Sequence, residues 1–165
     1  MASSRWDGEQ IRARLTALGH EIRPALPLER VVAFEREFAV TLPESYRTFV
    51  TEVGNGGAGP FHGLWELERS YGPKDEAWRP GFLATPFPHT TAVGRDELGE
   101  DYDEDRVVTG SMILSDMGCG SFARLVVTGA RPGQVWFDHL MVDDTLVPGP
   151  GFCDWYSSWL RSLHQ

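Results

Sequence analysis

What this 165-residue chain lacks narrows its function before any motif is weighed. Basic charge is short. Fifteen Lys and Arg stand against twenty-four Asp and Glu, a formal net charge of −9 with a sequence pI near 4.9. Nucleic acids and anionic membranes are bound through basic footprints, so neither is expected as a ligand, whereas a basic protein partner suits the balance. Cysteine is scarce, with only Cys119 and Cys153. The N-terminal MASSRWDGEQIR holds no apolar stretch of the kind that opens a secretory signal, so a cytoplasmic setting with reduced thiols is expected. No uninterrupted apolar run approaches the ~20 residues that cross a bilayer. The five histidines (His20, His62, His89, His139 and His164) show no zinc-site spacing to one another or to cysteine. G-x-S-x-G, Cys-x-x-Cys and GK[ST] are missing too, and neither a metal nor a cofactor is expected.

One motif is present that needs explaining away. Residues 54–59 read GNGGAG, the G-x-G-x-x-G spacing of dinucleotide-binding folds. That mechanism needs a strand before the glycines and a phosphate-facing helix after them. Here the order is reversed. Pro43 and Glu44 suit a first helical turn, and Tyr46, Phe49, Val50 and Val53 follow at i, i+3, i+4 and i+7. The glycines therefore end a helix running from about Pro43 to Val53, with Gly54, Asn55 or Gly56 in the left-handed conformation. A strand-like Gly63–Leu67 comes next.

Two earlier helices are predicted. One spans 7–19, with Asp7 as cap and Ile11, Leu15 and Leu18 on one side; the other carries Leu28, Val31, Val32 and Phe38. After residue 106 the period changes to that of strands: an extended region from Val107 through Leu114, then Phe122–Val127 and Gln134–Phe137 joined by a glycine-bearing hairpin, with a further short strand over 140–147. Phe152, Trp155, Tyr156, Trp159, Leu160 and Leu163 form a broad apolar stripe on a closing helix. Helices at both ends and strands between them predict an α+β fold, a mainly antiparallel central sheet packed by N-terminal helices and a C-terminal helix.

The candidates for chemistry are few. Residues 95–106, RDELGEDYDEDR, place Asp96, Glu97, Glu100, Asp101, Asp103, Glu104 and Asp105 between two arginines. Such a run is a solvated loop or short exposed helix by default; as a functional element it is a negative face that steers a basic protein. Calcium is a weaker reading, because EF-hand spacing is absent. Trp65 and Trp78 are the aromatic anchors that would help such a contact. A catalytic group would have to come from Asp138, His139 and the turn 118–121. Neighbouring strand residues point to opposite faces, so Asp138 and His139 are not expected to converge.

The segment 26–67, LPLERVVAFEREFAVTLPESYRTFVTEVGNGGAGPFHGLWEL, resembles the signature of the SUKH superfamily, which includes a fungal cell-wall-synthesis regulator and many bacterial proteins. Phe34-Glu35, Leu42-Pro43 and Asn55-Gly56-Gly57 stand at the matching places. Residues 113–163, from ILSDMGCGSFARLVVTGARPGQVWFDH to the Trp-rich helix, are similar to the bacterial branch. Ser121 departs from the family, which often has an acid after the second glycine of the G-x-G turn, and the loop-rich 68–106 carries no family landmark. The resemblance implies a single domain over 1–165, an α+β fold without known catalysis, and a role as an immunity protein that binds and neutralises a nuclease or deaminase toxin. Regulatory scaffolding of a non-toxin partner is the alternative, as the fungal relative suggests. Phe34, Leu42, Pro43, Asn55 and Gly56 carry over as fold markers, not as contacts.

Overall fold

Strand alternation sorts the apolar residues onto two faces of one sheet. In the computed structural model, which describes residues 6–70 and 80–164, the strands β1 (Ser111–Gly118), β2 (Ser121–Val126), β3 (Gln134–His139) and β4 (Thr145–Gly151) form an antiparallel meander in the order β1-β2-β3-β4. Register is fixed by pairs such as Met112 with Leu125, Ala123 with Phe137 and Asp138 with Leu146. The α+β expectation is met.

The first face carries Met112, Leu114, Ala123, Leu125 and Val135 into a core closed by helices from both ends of the chain. These are α1 (Gly8–Ala17), α2 (Leu28–Phe38), α3 (Glu44–Glu52) and α8 (Phe152–Ser162). Asp7 caps α1, its carboxylate accepting from the Gln10 amide at 3.0 Å. The rings of Trp6, Tyr46, Phe49, Phe152 and Tyr156 meet edge-on or stacked, with centroids 4.6 to 6.1 Å apart. Each such pair adds about 0.5–1.5 kcal/mol beyond area burial, so this aromatic knot anchors the terminal helices to each other. The Tyr156 hydroxyl donates to the Ala58 carbonyl at 2.8 Å, and burial pushes its pKa up from the ordinary value of 10.0.

The second face is covered by the loop-rich segment. Phe82, Phe87, Val107 and Val108 bury against Val126, Trp136 and Leu146, with Val93, Leu98 and Tyr102 packed around them. Two short helices, α5 (Arg95–Leu98) and α6 (Glu104–Val107), ride on this strap; α4 (Leu67–Ser70) precedes it. Sequence periodicity extends the strand back to Val107, but Val107 closes α6 and β1 begins at Ser111. Residues 140–147, expected as a strand, open with a further short helix, α7 (Leu140–Asp143); β4 starts only at Thr145. Leu64 makes only an isolated bridge rather than a strand, and Leu67 already belongs to α4.

The glycines after α3 permit a close approach of three backbones. Gly57 bridges Ile22 on one side and Leu64 on the other, both antiparallel. A Cβ on Gly57 would lie 2.7 Å from the Glu21 carbonyl oxygen, and one on Gly56 would lie 2.8 Å from the Glu66 amide. Gly56 and Gly57 take the left-handed φ that only glycine adopts freely, at +91° and +103°. Asn55 acts instead through its side chain: buried, it accepts the Leu67 amide at 2.8 Å. The motif is a structural knot: the one helix start it meets among the described residues, that of the four-residue α4, is already taken by Asn55.

Candidate interaction surface

The acidic run is a built surface, not a loose loop. Leu98, Tyr102, Val107 and Val108 turn inward and fix it to the sheet, which leaves Asp96, Glu97, Glu100, Asp101 and Asp103 outward. Two of the acids are spent on local structure. Glu97 Oε2 accepts the Gly94 amide at 2.8 Å at the start of α5, and Asp103 Oδ1 accepts the Asp105 amide at 3.0 Å at the start of α6. Asp96, Glu100 and Asp101 are exposed and have no side-chain partner among the described residues. Asp105 is half-buried. The run is tied to the β3–β4 connection through Asp144, which accepts the Tyr102 hydroxyl at 2.8 Å and lies 3.6 Å from Arg95 Nε. Of the two tryptophans singled out, Trp65 is half-buried, packs edge-on to Phe122 at 6.2 Å, and lies away from the acidic run on the β1 edge, where its amide donates to Leu114. Trp78 lies outside the described residues.

The catalytic alternative is taken apart by strand geometry. Asp138 turns into the second face, where Arg124 Nε donates to its Oδ2 at 2.7 Å and the Leu140 amide to its Oδ1 at 3.0 Å. His139 projects the other way, its Nδ1 2.7 Å from Ser121 Oγ. Ser121 and His139 thus meet, but no carboxylate among the described residues orients the ring. Cys119 occupies the first position of the two-residue β1–β2 turn, with φ of +56° followed by +88° at Gly120, the primed hairpin geometry. Among the described residues no group of three or more His, Cys, Asp and Glu side chains could hold a metal ion.

Two open clefts indent the surface near the glycine knot. The larger, about 840 Å³, is lined by Arg12, Thr16, His20, Glu21 and Arg23; Arg12 is already committed to the Glu52 and Val53 carbonyls that end α3. The second, about 370 Å³, lies between Arg23, His62, Trp65, Glu66 and Asp116. Phe61, next in the chain to His62 of that lining, and Met141 and Val142, against Gly120 of the β1–β2 turn, expose 55%, 71% and 57% of their surface. Sequence reasoning passed over these three. The only signal was Met141-Val142 wedged between a buried Leu140 and two aspartates, a pair that strand alternation hides and a short helix exposes.

An antiparallel meander closed on one face by terminal helices and on the other by an acid-bearing strap defines an α+β protein. The SMI1 / KNR4 family (SUKH-1) model matches residues 26–157, and the chain belongs to that family. No curated protein and no solved structure matches the chain. Two residue pairs within the matched segment, Phe34-Glu35 and Leu42-Pro43, are joined physically here. Glu35 accepts the Leu42 amide at 2.8 Å and pairs with Arg47 at 3.1 Å, so the Phe-Glu of α2 clamps the Leu-Pro that opens α3. Among the described residues no helix is long and apolar enough to cross a membrane.

Proposed function

We propose that this chain is a non-catalytic, cytoplasmic immunity protein that binds and neutralises a polymorphic toxin of the nuclease or deaminase class. The observation that carries the reading is the strap: its apolar residues are anchored on the sheet while Asp96, Glu100 and Asp101 face outward without partners among the described residues. Such a preformed negative face steers a basic domain at little ordering cost, and it can imitate the phosphates that a nuclease groove binds. Membership of the SMI1 / KNR4 family supports a protein-binding role. The test is co-expression with candidate nuclease and deaminase toxins, beginning with any that a neighbouring reading frame encodes. Restored growth together with a stable purified complex supports the reading. Unrelieved toxicity, with an endogenous non-toxin partner recovered reproducibly instead, replaces it with regulatory scaffolding.

A further inference from the structure

Three of the four non-glycine residues with a left-handed φ among the described residues, Phe61, Cys119 and Asp144, lie at one end of the sheet. The fourth, Ala39, merely ends α2. A left-handed phenylalanine is a genuine outlier, and such strain collects where a surface must hold a set shape. The elements at this end are contiguous. A Cβ on Gly118 would lie 3.4 Å from His62 Nε2, and one on Gly120 would lie 3.4 Å from Met141 Cβ. The β1–β2 turn is therefore the floor between the Phe61–His62 corner on one side and Met141–Val142 on the other.

Next to this apolar ground lies the 370 Å³ groove of Trp65 and Asp116. Asp116 Oδ1 accepts the Gly118 amide at 2.7 Å, while its Oδ2 has no partner among the described residues. Arg23, on the opposite wall, lies 3.8 Å from Glu66, so this cation is faced by a carboxylate of the groove itself. A half-exposed indole beside an available carboxylate is the pairing that receives an arginine or lysine side chain, through ring quadrupole and charge together. On the other flank, Asp143 is exposed and Asp144 joins the end to the acidic strap.

We infer that this end of the sheet is the docking face for the basic protein partner, with Phe61, Met141 and Val142 as its apolar centre and the groove between Trp65 and Asp116 as the socket for one cationic side chain. The inference deepens the immunity reading and takes its macromolecular partner from it, but the socket can be probed without any toxin. Exposed apolar surface at the centre with charge around it is the anatomy of an interface in which a few central residues carry the affinity. The acidic strap then supplies encounter rate, and the sheet end supplies lifetime.

The socket is tested by titrating the labelled full chain with Nα-acetyl-arginine N-methylamide, against the norleucine analogue as neutral control, and following amide and indole resonances. Saturable shifts at Trp65, His62 and Gly118, given by the arginine compound alone and lost in Asp116→Asn, support the socket. The carboxamide of that variant still offers a carbonyl to the Gly118 amide, so the turn survives. Absence of saturable shifts there overturns it. The apolar centre is tested with the toxin domain that co-expression identifies, made inactive, using Met141→Lys/Val142→Lys and, as a comparably exposed control far along the chain, Leu28→Lys, each checked for unchanged thermal midpoint. The double variant should weaken binding roughly a hundredfold, chiefly through faster dissociation, and Leu28→Lys less than about threefold. Wild-type binding that survives the double variant unchanged overturns the docking face while leaving the immunity reading intact. Failure of the wild type to bind, with the arginine shifts present, overturns the immunity reading and leaves the face for another basic partner.

Discussion

Arg124 and Asp138 sit diagonally on adjacent strands and share a bond of 2.7 Å on the second face of the sheet, with side chains only 9% and 7% exposed. Two opposite charges this deep offset one another's desolvation only while both remain. Asp138→Ala strands the guanidinium and removes the acceptor of the Leu140 amide, which starts α7. A loss of about 3–5 kcal/mol is expected in urea or guanidinium unfolding. The double variant Arg124→Met/Asp138→Leu should recover most of that loss. A single-variant loss below about 1 kcal/mol would contradict the buried-pair account.

The glycine knot makes a comparison that separates strain from crowding. Gly57→Ala meets both a φ of +103° and the Glu21 carbonyl oxygen 2.7 Å away, whereas Gly19→Ala meets a φ of +81° and open space. The left-handed conformation alone costs a non-glycine residue about 1–3 kcal/mol. Both variants should lose that much, and Gly57→Ala should lose clearly more, since backbone cannot move aside cheaply. Equal losses, measured by denaturant midpoint, would show that the three backbone segments around Gly57 part without penalty.

The four long helices were legible in the sequence because each is written locally: Asp7 caps α1, Pro43 and Glu44 open α3, and the stripe from Phe152 to Leu163 has a single period. The second face of the sheet was not. Its cover, 80–108, is built from scattered residues such as Phe82, Phe87, Val93 and Leu98, whose shared burial comes from tertiary packing and leaves no period in the chain. The same cause misplaced Val107, apolar enough for a strand but taken by α6. Among the acids, sequence showed the charge but could not show that Glu97 and Asp103 are consumed as caps while Asp96, Glu100 and Asp101 stay available. Phe61, Met141 and Val142 were hidden for the opposite reason: apolar residues are assigned to a core by default, and only geometry reveals those that face water.

If the strap steers a basic toxin, the three uncommitted acids should dominate its effect. Asp96→Lys/Glu100→Lys/Asp101→Lys spares both caps and changes the local charge by six units at neutral pH. Association with the toxin domain should slow by about tenfold or more at low salt, with the difference shrinking toward physiological ionic strength. Dissociation should barely change, because the contact that sets lifetime lies at the sheet end. Stopped-flow rates across a salt series give the answer. Extending the reversal to Asp103, Glu104 and Asp105 should add loss of stability to loss of rate, since Asp103 caps α6.

Clamping by Glu35 is directly testable. Its Oε2 accepts the Leu42 amide and its Oε1 meets Arg47 Nη2 at 3.1 Å, so one carboxylate fixes both the entry and the first turns of α3. Glu35→Ala should destabilise by about 1–3 kcal/mol through the unpaired, part-buried Leu42 amide. Glu35→Gln keeps an acceptor for that amide and should lose less. Arg47→Met, which removes only the half-exposed cation, should lose least of the three.

His89 gives the chain a readable response to pH. Its Nε2 donates to the Val107 carbonyl at 2.9 Å, and its ring lies against Phe87 and near Trp136, with centroids 5.2 and 6.1 Å away. Burial lowers its pKa below the ordinary 6.5, and the bond to Val107 only partly opposes this. The sign follows from proton counting. Above 6.5 the ring is neutral folded and unfolded, and nothing is gained or lost. Below it the unfolded chain takes up a proton that the folded chain resists, so stability falls with pH until the lowered folded value is reached. His89→Gln, which keeps a donor for Val107 but cannot titrate, should flatten the stability profile in that window while matching the wild-type slope above it. Every other titrating group is common to both chains, so the difference between the two profiles belongs to His89. Identical slopes between pH 5 and 7, an interval around the ordinary imidazole value, would mean that the ring reaches water in the folded state and that the strap over Trp136 opens more readily than its packing implies.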